Sequence, residues 1–463
     1  MGGRRSVRIF VVAALVALFV APEVGAPARV LEIPRTLASR TTLVHDTTAR
    51  LNFAATHIAF SWWGDEGTGV LYRVLDASGW SEWRRAPQAH DMEHDGHHYS
   101  AVISVGRVHA VEHQALRPAG SRMGTVELSY LNTSDGPTRT VRVPAVANAA
   151  AEVPVVVTRA EWGADESIRK KSGSCQPAFY PLQQLLVHHT AGRNFDPDPY
   201  GTMRAIAWYH TVQRGWCDIG YNFVIGPEGT VFEGRWARAY GPWEVHSAEN
   251  PEREVVSGAH ASSYNSGSLG VSMMGNYDQV PLPIEARASL VNLLAWVADR
   301  HDLDPLMRYK YVNPVTGASR WLPRIAGHRT VGSTACPGDF LKLKQIRQEV
   351  ALTIGDGKVM PSLSLASSSG SISAGESVAL SGSLADSAGA VVGAPITIYQ
   401  RPARQPWSVA GQATTSLDGS YSVTVAPAVK TRYRAVYAGD DDRWGTQSLL
   451  VIVRVRQATP SPS

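Results

Sequence analysis

The sequence predicts a multi-domain protein in which a mixed α/β domain lies between two all-β, sandwich-like domains. The chain has 463 residues, which is too long for one ordinary domain. Short alternating strand patterns with Gly and Asp turns occupy residues 52–147 and 362–455. Between these regions, residues 154–352 combine a helical stripe with buried-strand patterns.

Each region contains segments that justify this division. Residues 70–74 alternate between apolar and polar types in the first β region, and residues 377–382, 396–399 and 421–425 do so in the second. In the middle region, residues 185–187 and 221–225 are typical of buried strands, and residues 285–301 carry an amphipathic helical stripe. The Pro- and Ser-rich residues 456–463 are predicted to be a disordered tail.

The N-terminus has the pattern of an export signal. Three arginines within the first eight residues precede an apolar run, residues 9–21, that is too short to span a bilayer comfortably. Small residues at positions 26 and 28 predict a signal peptide over residues 1–28, cleaved after Ala28. An uncleaved membrane anchor is the alternative, which the prolines at 22 and 27 disfavour. We therefore expect a secreted, extracellular protein, with cell-wall association as an option and no transmembrane span after cleavage.

Composition and charge narrow the function classes. The hydrophobic content of 44% and the charged content of 18% are typical of folded globular domains. The formal net charge is +4, and residues 1–28 contribute three Arg and one Glu, or +2 of that total. The mature chain is therefore too weakly basic to indicate a nucleic-acid partner. We expect the protein to be a monomer.

Histidines and one cysteine form a possible metal-binding set. His188 and His189 end a predicted buried strand, whereas His328 and Cys336 lie eight residues apart in a segment that contains Gly332. The three cysteines are an odd number for an exported chain, so one is left either as a reduced thiol or as a metal ligand. Imidazole and thiolate both suit zinc, and catalytic zinc takes three protein ligands. A lone histidine is more often a core or surface residue, so spacing alone leaves the question open.

Eight short motifs carry a more specific signal across about 200 residues. They are residues 158–164 (TRAEWGA), 187–191 (VHHTA), 215–223 (GWCDIGYNF), 233–235 (EGR), 258–260 (GAH), 264–265 (YN), 327–329 (GHR) and 336–338 (CPG). In order and approximate spacing they resemble the family of type 2 N-acetylmuramoyl-L-alanine amidases and peptidoglycan recognition proteins. The resemblance implies a central mixed β-sheet flanked by helices, and a groove that binds the muramyl-peptide stem.

The resemblance also implies roles for individual residues. His188, His328 and Cys336 match the three ligands of a Zn²⁺ ion, and Tyr221 matches a catalytic tyrosine beside the metal. Thr334 matches a position where phage-type members carry Lys and recognition-protein amidases carry Thr, so a hydroxyl takes any role in holding the carbonyl oxygen. Many members bind peptidoglycan without cutting it and have Ser in place of the cysteine.

Several further residues are candidates for contact with substrate, although each also has a structural explanation. The candidates are His260, His189, Arg235, Tyr264 and Asn265. The implied partner is peptidoglycan or a soluble muropeptide.

If Cys336 binds zinc, Cys175 and Cys217 are the only cysteines left for an intramolecular disulfide. Each lies just before a predicted strand, and two neighbouring strands would bring them within bonding distance. Two separate thiols are the alternative.

The predicted function is hydrolysis of the amide between N-acetylmuramic acid and L-alanine by a secreted zinc amidase. The alternatives are a non-catalytic peptidoglycan-binding module and a surface adhesin in which the middle domain anchors the chain to the wall. The C-terminal segment resembles bacterial immunoglobulin-like domains, which act as spacers or hold an enzyme near a surface.

Overall fold

The computed structural model describes residues 29–456, except for a set of short gaps. These gaps are residues 44–47, 90–95, 144–153, 242–243, 356–358, 360, 387, 404, 406–407, 441, 444–445 and 449. The predicted signal peptide and residues 457–463 of the predicted tail lie outside the described residues. Arg456, the first residue of that predicted tail, belongs to the last strand instead.

The described residues of the N-terminal region form ten strands. They are β1 (Arg29–Pro34), β2 (Leu37–Leu43), β3 (Thr48–Gly64), β4 (Gly69–Asp76), β5 (Gly79–Trp80), β6 (Arg84–Arg85), β7 (His97–Tyr99), β8 (Ile103–Leu116), β9 (Met123–Asn132) and β10 (Thr138–Val143). The main sheet is antiparallel with the order β2-β9-β3-β8-β4-β5, while β1 pairs with β10. The main sheet begins at Leu37, before the predicted boundary at 52, and the sandwich-like shape of this region stays a prediction.

Strand β3 is buried on both faces along its centre, which explains how the N-terminal region attaches to the middle one. Ile58, Phe60 and Trp62 point into the core of the N-terminal sheet. Because side chains alternate along a strand, the residues between them point the other way. Ala59 belongs to an apolar cluster with residues of the middle region. Nε2 of His57 shares a hydrogen bond of 2.8 Å with the hydroxyl of Thr202 in that region.

Outside the gap at residues 242–243, the middle region has ten strands and four α-helices. The strands are β11 (Val156–Val157), β12 (Phe179–Tyr180), β13 (Gln184–His189), β14 (Phe223–Ile225), β15 (Val231–Glu233), β16 (Val255–Val256), β17 (Ser268–Met273), β18 (Arg308–Val312), β19 (Ser319–Pro323) and β20 (Ile325–Gly327). The helices are α1 (Arg159–Trp162), α2 (Pro199–Trp208), α3 (Ile284–Arg300) and α4 (Leu343–Ile354).

A mixed six-stranded sheet forms the centre of this region, with the order β11-β15-β14-β17-β13-β20. Strand β13 runs parallel to both of its neighbours, whereas β14 and β15 are antiparallel. Helices α3 and α4 share one apolar cluster with the sheet, and α2 shares another. The helices therefore cover both faces, and the amidase-like mixed sheet flanked by helices is confirmed for this region.

Local sequence explains where these helices begin. Thr158 caps α1 in a capping box with Glu161, whose carboxylate accepts from the backbone N–H of Thr158. The side chain of Asp198 caps α2, and Pro199 occupies its first turn. Helix α2 then continues as a π-helical turn, Tyr209–Gln213.

Eleven strands lie in the part of the C-terminal region that the structure describes. They are β21 (Ser362–Leu363), β22 (Ala366–Ser367), β23 (Ser371–Ser373), β24 (Val378–Asp386), β25 (Gly389–Ala390), β26 (Pro395–Pro402), β27 (Ser408–Thr414), β28 (Ser420–Val425), β29 (Thr431–Tyr437), β30 (Thr446–Gln447) and β31 (Val451–Arg456). They form two sheets around one apolar cluster. The immunoglobulin-like assignment stays a prediction. Among the described residues, no helix combines the length and apolar character that a membrane crossing requires.

Candidate active site

The site begins at the end of strand β13. All six residues of this strand are buried, because it lies between β17 and β20 with helices on both faces. Val187 points into the cluster shared with α3 and α4, so the next residue, His188, points to the opposite face. This alternation directs the imidazole of His188 to the face of the sheet that α2 covers.

The neighbouring strand β20 delivers the second histidine. Residues Leu185 to Val187 pair with Ile325 to Gly327 in parallel, so both strands end at the same edge. The chain then turns through a short 3₁₀ helix that starts at His328. The ring centroids of His188 and His328 lie 4.7 Å apart.

A loop folds back to bring Cys336 to the same point. The backbone N–H of Arg329 donates to the Cys336 carbonyl at 2.8 Å. The backbone N–H of Cys336 donates to the Thr334 hydroxyl at 3.0 Å, and the N–H of His189 points at the Cys336 sulfur at 3.3 Å. These contacts hold the sulfur 3.8 Å from Nδ1 of His188.

The three side chains fit a zinc ion in both chemistry and spacing. His188, His328 and Cys336 each offer one ligand atom, and the three atoms lie within 4.8 Å of one another. Zinc–nitrogen and zinc–sulfur bonds of about 2.0–2.3 Å in a tetrahedron separate ligand atoms by roughly 3.3–3.8 Å. The separation of 3.8 Å between sulfur and Nδ1 already matches that geometry.

Burial keeps His188 in the neutral form that binds metal. Its pKa is held well below 6.5, first by burial and then by repulsion from the imidazoles of His328, His260 and His189. Nε2 of His188 lies 3.1 Å from Nδ1 of His260, a contact that orients the ring. Contacts of this kind fix which nitrogen of a histidine faces a metal.

The structure places His260 and Asn265 beside the first histidine of the cluster. His260 is fully buried behind His188, and its contact with substrate stays a prediction. A Cβ atom on Gly258 or Gly270 would lie within 2.5 Å of its ring, so glycine at both positions makes the space that it occupies. The side-chain oxygen of Asn265 accepts from the backbone N–H of His260 and of Ala261, both at 2.8 Å, and so shapes this loop.

Tyr221 and Thr334 approach the cluster from different sides. The ring of Tyr221 is buried 5.5 Å from that of His188, and Tyr221 lines a cavity together with Cys336. Thr334 precedes the cysteine on the loop, and its hydroxyl caps the Cys336 backbone.

The remaining substrate candidates occupy three different settings. His189 lines the same cavity as Tyr221, and its Nδ1 accepts from the backbone N–H of Tyr277 at 3.2 Å. Arg235 donates to the Ile219 carbonyl at 3.3 Å, and burial lowers its pKa. Half-buried Tyr264 packs against Tyr311 with ring centroids 5.2 Å apart.

Two residues beside the cluster were not predicted from the sequence. His210 is buried 5.7 Å from the ring of Tyr221, and its Nδ1 accepts from the backbone N–H of Gly220. The guanidinium of Arg214 stacks on the rings of Trp216 at 4.2 Å and Tyr99 at 4.7 Å. The spacing of Ile206, Tyr209 and His210 along one helical face was the signal that could have found His210.

The cysteines that do not reach the cluster are joined to each other. Cys175 and Cys217 form a disulfide with a Cα–Cα distance of 5.2 Å, as the sequence predicted. Cys336 is buried and takes no part in it.

Comparison with known proteins agrees with these features. The N-acetylmuramoyl-L-alanine amidase family matches residues 178–339. Peptidoglycan-recognition protein SC2 of Drosophila simulans is 34% identical over 185 residues, which cover 40% of this chain and 80% of that protein. Peptidoglycan recognition protein 1 of Bos taurus is 33% identical over 189 residues, which cover 40% of this chain and 80% of that protein. The solved structure of Drosophila PGRP-LB is 27% identical, covering 41% of this chain and 91% of that one, with a TM-score of 0.30.

The fold and the site together define an α/β domain with a candidate three-ligand metal centre. The sequence relatives identify the family to which this domain belongs. The chain belongs to the family of peptidoglycan-recognition proteins and N-acetylmuramoyl-L-alanine amidases.

Proposed function

We propose that this protein is a zinc-dependent N-acetylmuramoyl-L-alanine amidase that hydrolyses the amide between N-acetylmuramic acid and L-alanine. The observation that carries the proposal is the convergence of His188, His328 and Cys336 on one point. Zinc bound there would lower the pKa of water and polarise a substrate carbonyl.

The residues around the cluster supply the rest of the chemistry. His260 holds the ring of His188, and the N–H of His189 donates toward the Cys336 sulfur, which favours the thiolate. Tyr221 lines the cavity beside Cys336, where its hydroxyl donates a hydrogen bond to the oxyanion that develops on the scissile carbonyl. Thr334 positions Cys336 through the backbone and has a hydroxyl proton left to donate.

Cys336 supports an enzyme over a non-catalytic recognition module. A thiolate is a strong zinc ligand, whereas a serine hydroxyl at the same place is a poor one. A chain that only bound peptidoglycan would not need two buried histidines and a buried cysteine within ligand distance of one another. We also propose that the protein acts outside the cell, because its disulfide requires an oxidising compartment.

The central experiment is mass spectrometry of peptidoglycan fragments after digestion with the purified protein, with and without a zinc chelator. We expect free N-acetylmuramic acid ends and free L-alanine amino termini, both lost on chelation and regained with added zinc. Fragments cut at any other bond would contradict the proposed reaction. Binding to peptidoglycan without cleavage by the zinc-loaded protein would favour the recognition module.

A pair of histidine variants tests the metal assignment. His328→Ala removes one ligand, so we expect loss of stoichiometric zinc together with loss of turnover. His246→Ala is the matched control, because His246 pairs with Glu233 at 2.7 Å and stacks on Tyr240 outside the cluster. Zinc content by atomic emission should fall only in the first variant. Equal zinc content in both would show that the ligand set is wrong.

A further inference from the structure

One outer sheet face of the C-terminal region is strongly basic. Strands β26, β29 and β31 are neighbours in one sheet, and together they carry five arginines and no acidic residue. Ile398, Tyr433 and Val453 point into the C-terminal core, so the residues that alternate with them point outward. These outward residues include all five arginines, which are Arg401, Arg432, Arg434, Arg454 and Arg456. We call this surface the arginine face.

The pairing of these strands places like charges opposite each other. Arg401 and Arg432 are direct partners in the antiparallel register of β26 and β29, and both side chains are exposed. Like charges in such a position destabilise a sheet, and none of the three strands supplies a carboxylate to offset the repulsion. The arginine face therefore holds positive charge that does not stabilise the fold of the C-terminal region.

The hairpin of β18 and β19 in the middle region adds further positive charge. Residues 305–338 contain five basic residues and no acidic one. Two of the five make local contacts, because Arg329 pairs with Asp339 and Arg324 stacks on the ring of Tyr309 at 3.5 Å. The exposed side chains of the hairpin include the other three and one aromatic ring, namely Arg308, Lys310, Arg320 and Trp321.

The hairpin lies beside the arginine face. The pKa of Arg308 is lowered, first by desolvation of its guanidinium and then by repulsion from Arg434 and Arg320. Because salt screens charges that are far apart, this repulsion makes Arg308 of the hairpin and Arg434 of the arginine face near neighbours. The hairpin and the arginine face therefore form one positively charged surface across the middle and C-terminal regions, which we call the basic surface.

The basic surface lies away from the metal cluster. The side chain of Gln183, one residue before β13, shares hydrogen bonds of 2.9 and 3.0 Å with the backbone of Val312 in the hairpin. The hydroxyl of Tyr311 donates to the Ser266 carbonyl at 2.7 Å, just before β17. These contacts hold the hairpin at the edge where β13 and β17 begin. His188 lies near the other end of β13, about 16 Å further along the strand.

We propose that the basic surface binds a phosphodiester-linked sugar or polyol polymer outside the cell. The inference goes beyond the proposed amidase function and does not depend on it, because the polymer is a docking partner and not a substrate. Guanidinium groups bind phosphate oxygens with two parallel hydrogen bonds, and arginine supplies every charge on the three strands. A sheet sets outward side chains about 4.8 Å apart across strands and about 7 Å apart along them, which suits repeated anionic groups. Trp321, which is 53% exposed, adds a flat ring for a sugar.

Two other polyanions fit this surface less well. Single-stranded nucleic acid is bound by several aromatic rings that stack on successive bases, whereas the exposed aromatic ring of the hairpin is that of Trp321 alone. Membrane surfaces are bound by inserted apolar side chains as well as by charge. The outward neighbours of the arginines, which are Thr397, Tyr399 and Ile452, are half-buried in the sheet and form no such anchor.

Arg401→Glu separates polymer binding from folding. The change replaces a like-charge pair with Arg432 by an opposite-charge pair, so we expect the melting temperature of the C-terminal region to rise. Arg50→Glu is the matched control, because Arg50 is also exposed on a strand but lies in the N-terminal sheet. Trp321→Ala tests the hairpin. Zinc content and turnover on a purified disaccharide tetrapeptide should stay unchanged in all three variants.

Binding of the full-length, zinc-loaded protein is measured by calorimetry with three probes. They are poly(glycerol phosphate), a single-stranded oligonucleotide of equal charge, and vesicles of phosphatidylglycerol and phosphatidylcholine. We expect the wild type to bind poly(glycerol phosphate) most tightly. Arg401→Glu should weaken this binding by at least about fivefold and make the slope of log Kd against log salt shallower by about 0.7. Trp321→Ala should weaken it by about threefold, and Arg50→Glu should bind as the wild type does.

Several results would overturn the proposal. They include a wild type that does not bind poly(glycerol phosphate), and unchanged affinity in Arg401→Glu. Tighter binding of the oligonucleotide or of the vesicles would assign the basic surface to nucleic acid or to a membrane instead. Equal weakening in Arg50→Glu would show that overall charge drives binding. Absence of turnover in a zinc-loaded protein that still binds the polymer would refute the amidase function and support the docking surface.

Discussion

The two β regions that flank the central sheet are attached to it in different ways. In the N-terminal region, Ala59 and Val102 belong to an apolar cluster that also contains residues of helix α2. The C-terminal region has a core of its own, drawn from Ile372 to Val453. The N-terminal and middle regions therefore form one cooperative unit, which contains the proposed active site and which we call the catalytic unit, while the C-terminal region is a separate unit. Sequence order alone does not distinguish them, because both are all-β and both adjoin the middle region.

The strongest test of this difference places a carboxylate in each core. Ala59→Asp buries a charge in the cluster shared with α2, whereas Ala435→Asp buries one in the C-terminal core; both alanines are fully buried. An unpaired buried charge costs several kcal/mol. We expect Ala59→Asp to unfold the catalytic unit with loss of zinc. Ala435→Asp should melt only the C-terminal region and keep turnover on soluble substrate, as followed by calorimetry and zinc analysis. If both variants kept their activity, the proposed difference between the two regions would be wrong.

Removing the disulfide should act on the catalytic unit only. Cys175 and Cys217 are 42 residues apart, and closing such a loop stabilises a fold by about 4 kcal/mol in the chain-entropy model. The double variant Cys175→Ser, Cys217→Ser avoids reductants, which compete for zinc. We expect calorimetry to show a lower melting temperature for the transition that carries zinc. The C-terminal transition serves as the internal control, and a shift in it would show that the two units are coupled.

The stability of the contact between the N-terminal and middle regions should also depend on pH, because His57 is buried there. Burial lowers the pKa of His57 from 6.5 to about 4. Between these values the unfolded chain takes up a proton that the folded chain does not, so stability falls as pH drops from 6.5 to 4 and levels off below that. The full loss is about 3 kcal/mol. His57→Gln should flatten this slope for the catalytic unit. The region from 362 to 463 contains no histidine, so its melting temperature should lack the same step.

The smallest expected effect is a loss of turnover without a loss of stability. Tyr221→Phe removes a hydrogen-bond donor from the cavity, and we expect turnover to fall about a hundredfold, or about 2.7 kcal/mol, with zinc and melting temperature unchanged. Tyr437→Phe removes a hydroxyl that donates to Asp440 in the C-terminal region and should leave turnover unaffected. Similar turnover in Tyr221→Phe and wild type would make Tyr221 a structural residue.

Much of the site could be predicted because its parts are local. The motifs around His188, His328 and Cys336 carry the family resemblance, and the structure brings the three side chains together at the end of β13. The helix predicted over residues 285–301 is present as Ile284–Arg300. The disulfide could be predicted because Cys175 and Cys217 are the only cysteines that remain if Cys336 binds zinc.

The rest depends on contacts between distant segments, which no local pattern encodes. The sequence did not show that His260 packs behind His188, in space made by two glycines. Strand β3 turns one face towards the core of the N-terminal sheet and the other towards the middle region. Its polar residues on that face, such as His57 and Ser61, are buried against α2 and the turn that follows it. A polar residue that meets a partner in another domain has the same sequence signature as one that meets water.

The burial of β3 on both faces limits how this protein can be rearranged, by evolution or by design. Separating the N-terminal sheet from the middle region would expose Ala59 on one piece and the apolar side of α2 on the other, so neither piece is a transferable module. A cut near Gly355 separates regions whose cores are already complete. Chimeras that exchange the C-terminal region for another domain should therefore be well tolerated, whereas the N-terminal sheet must stay with the middle region.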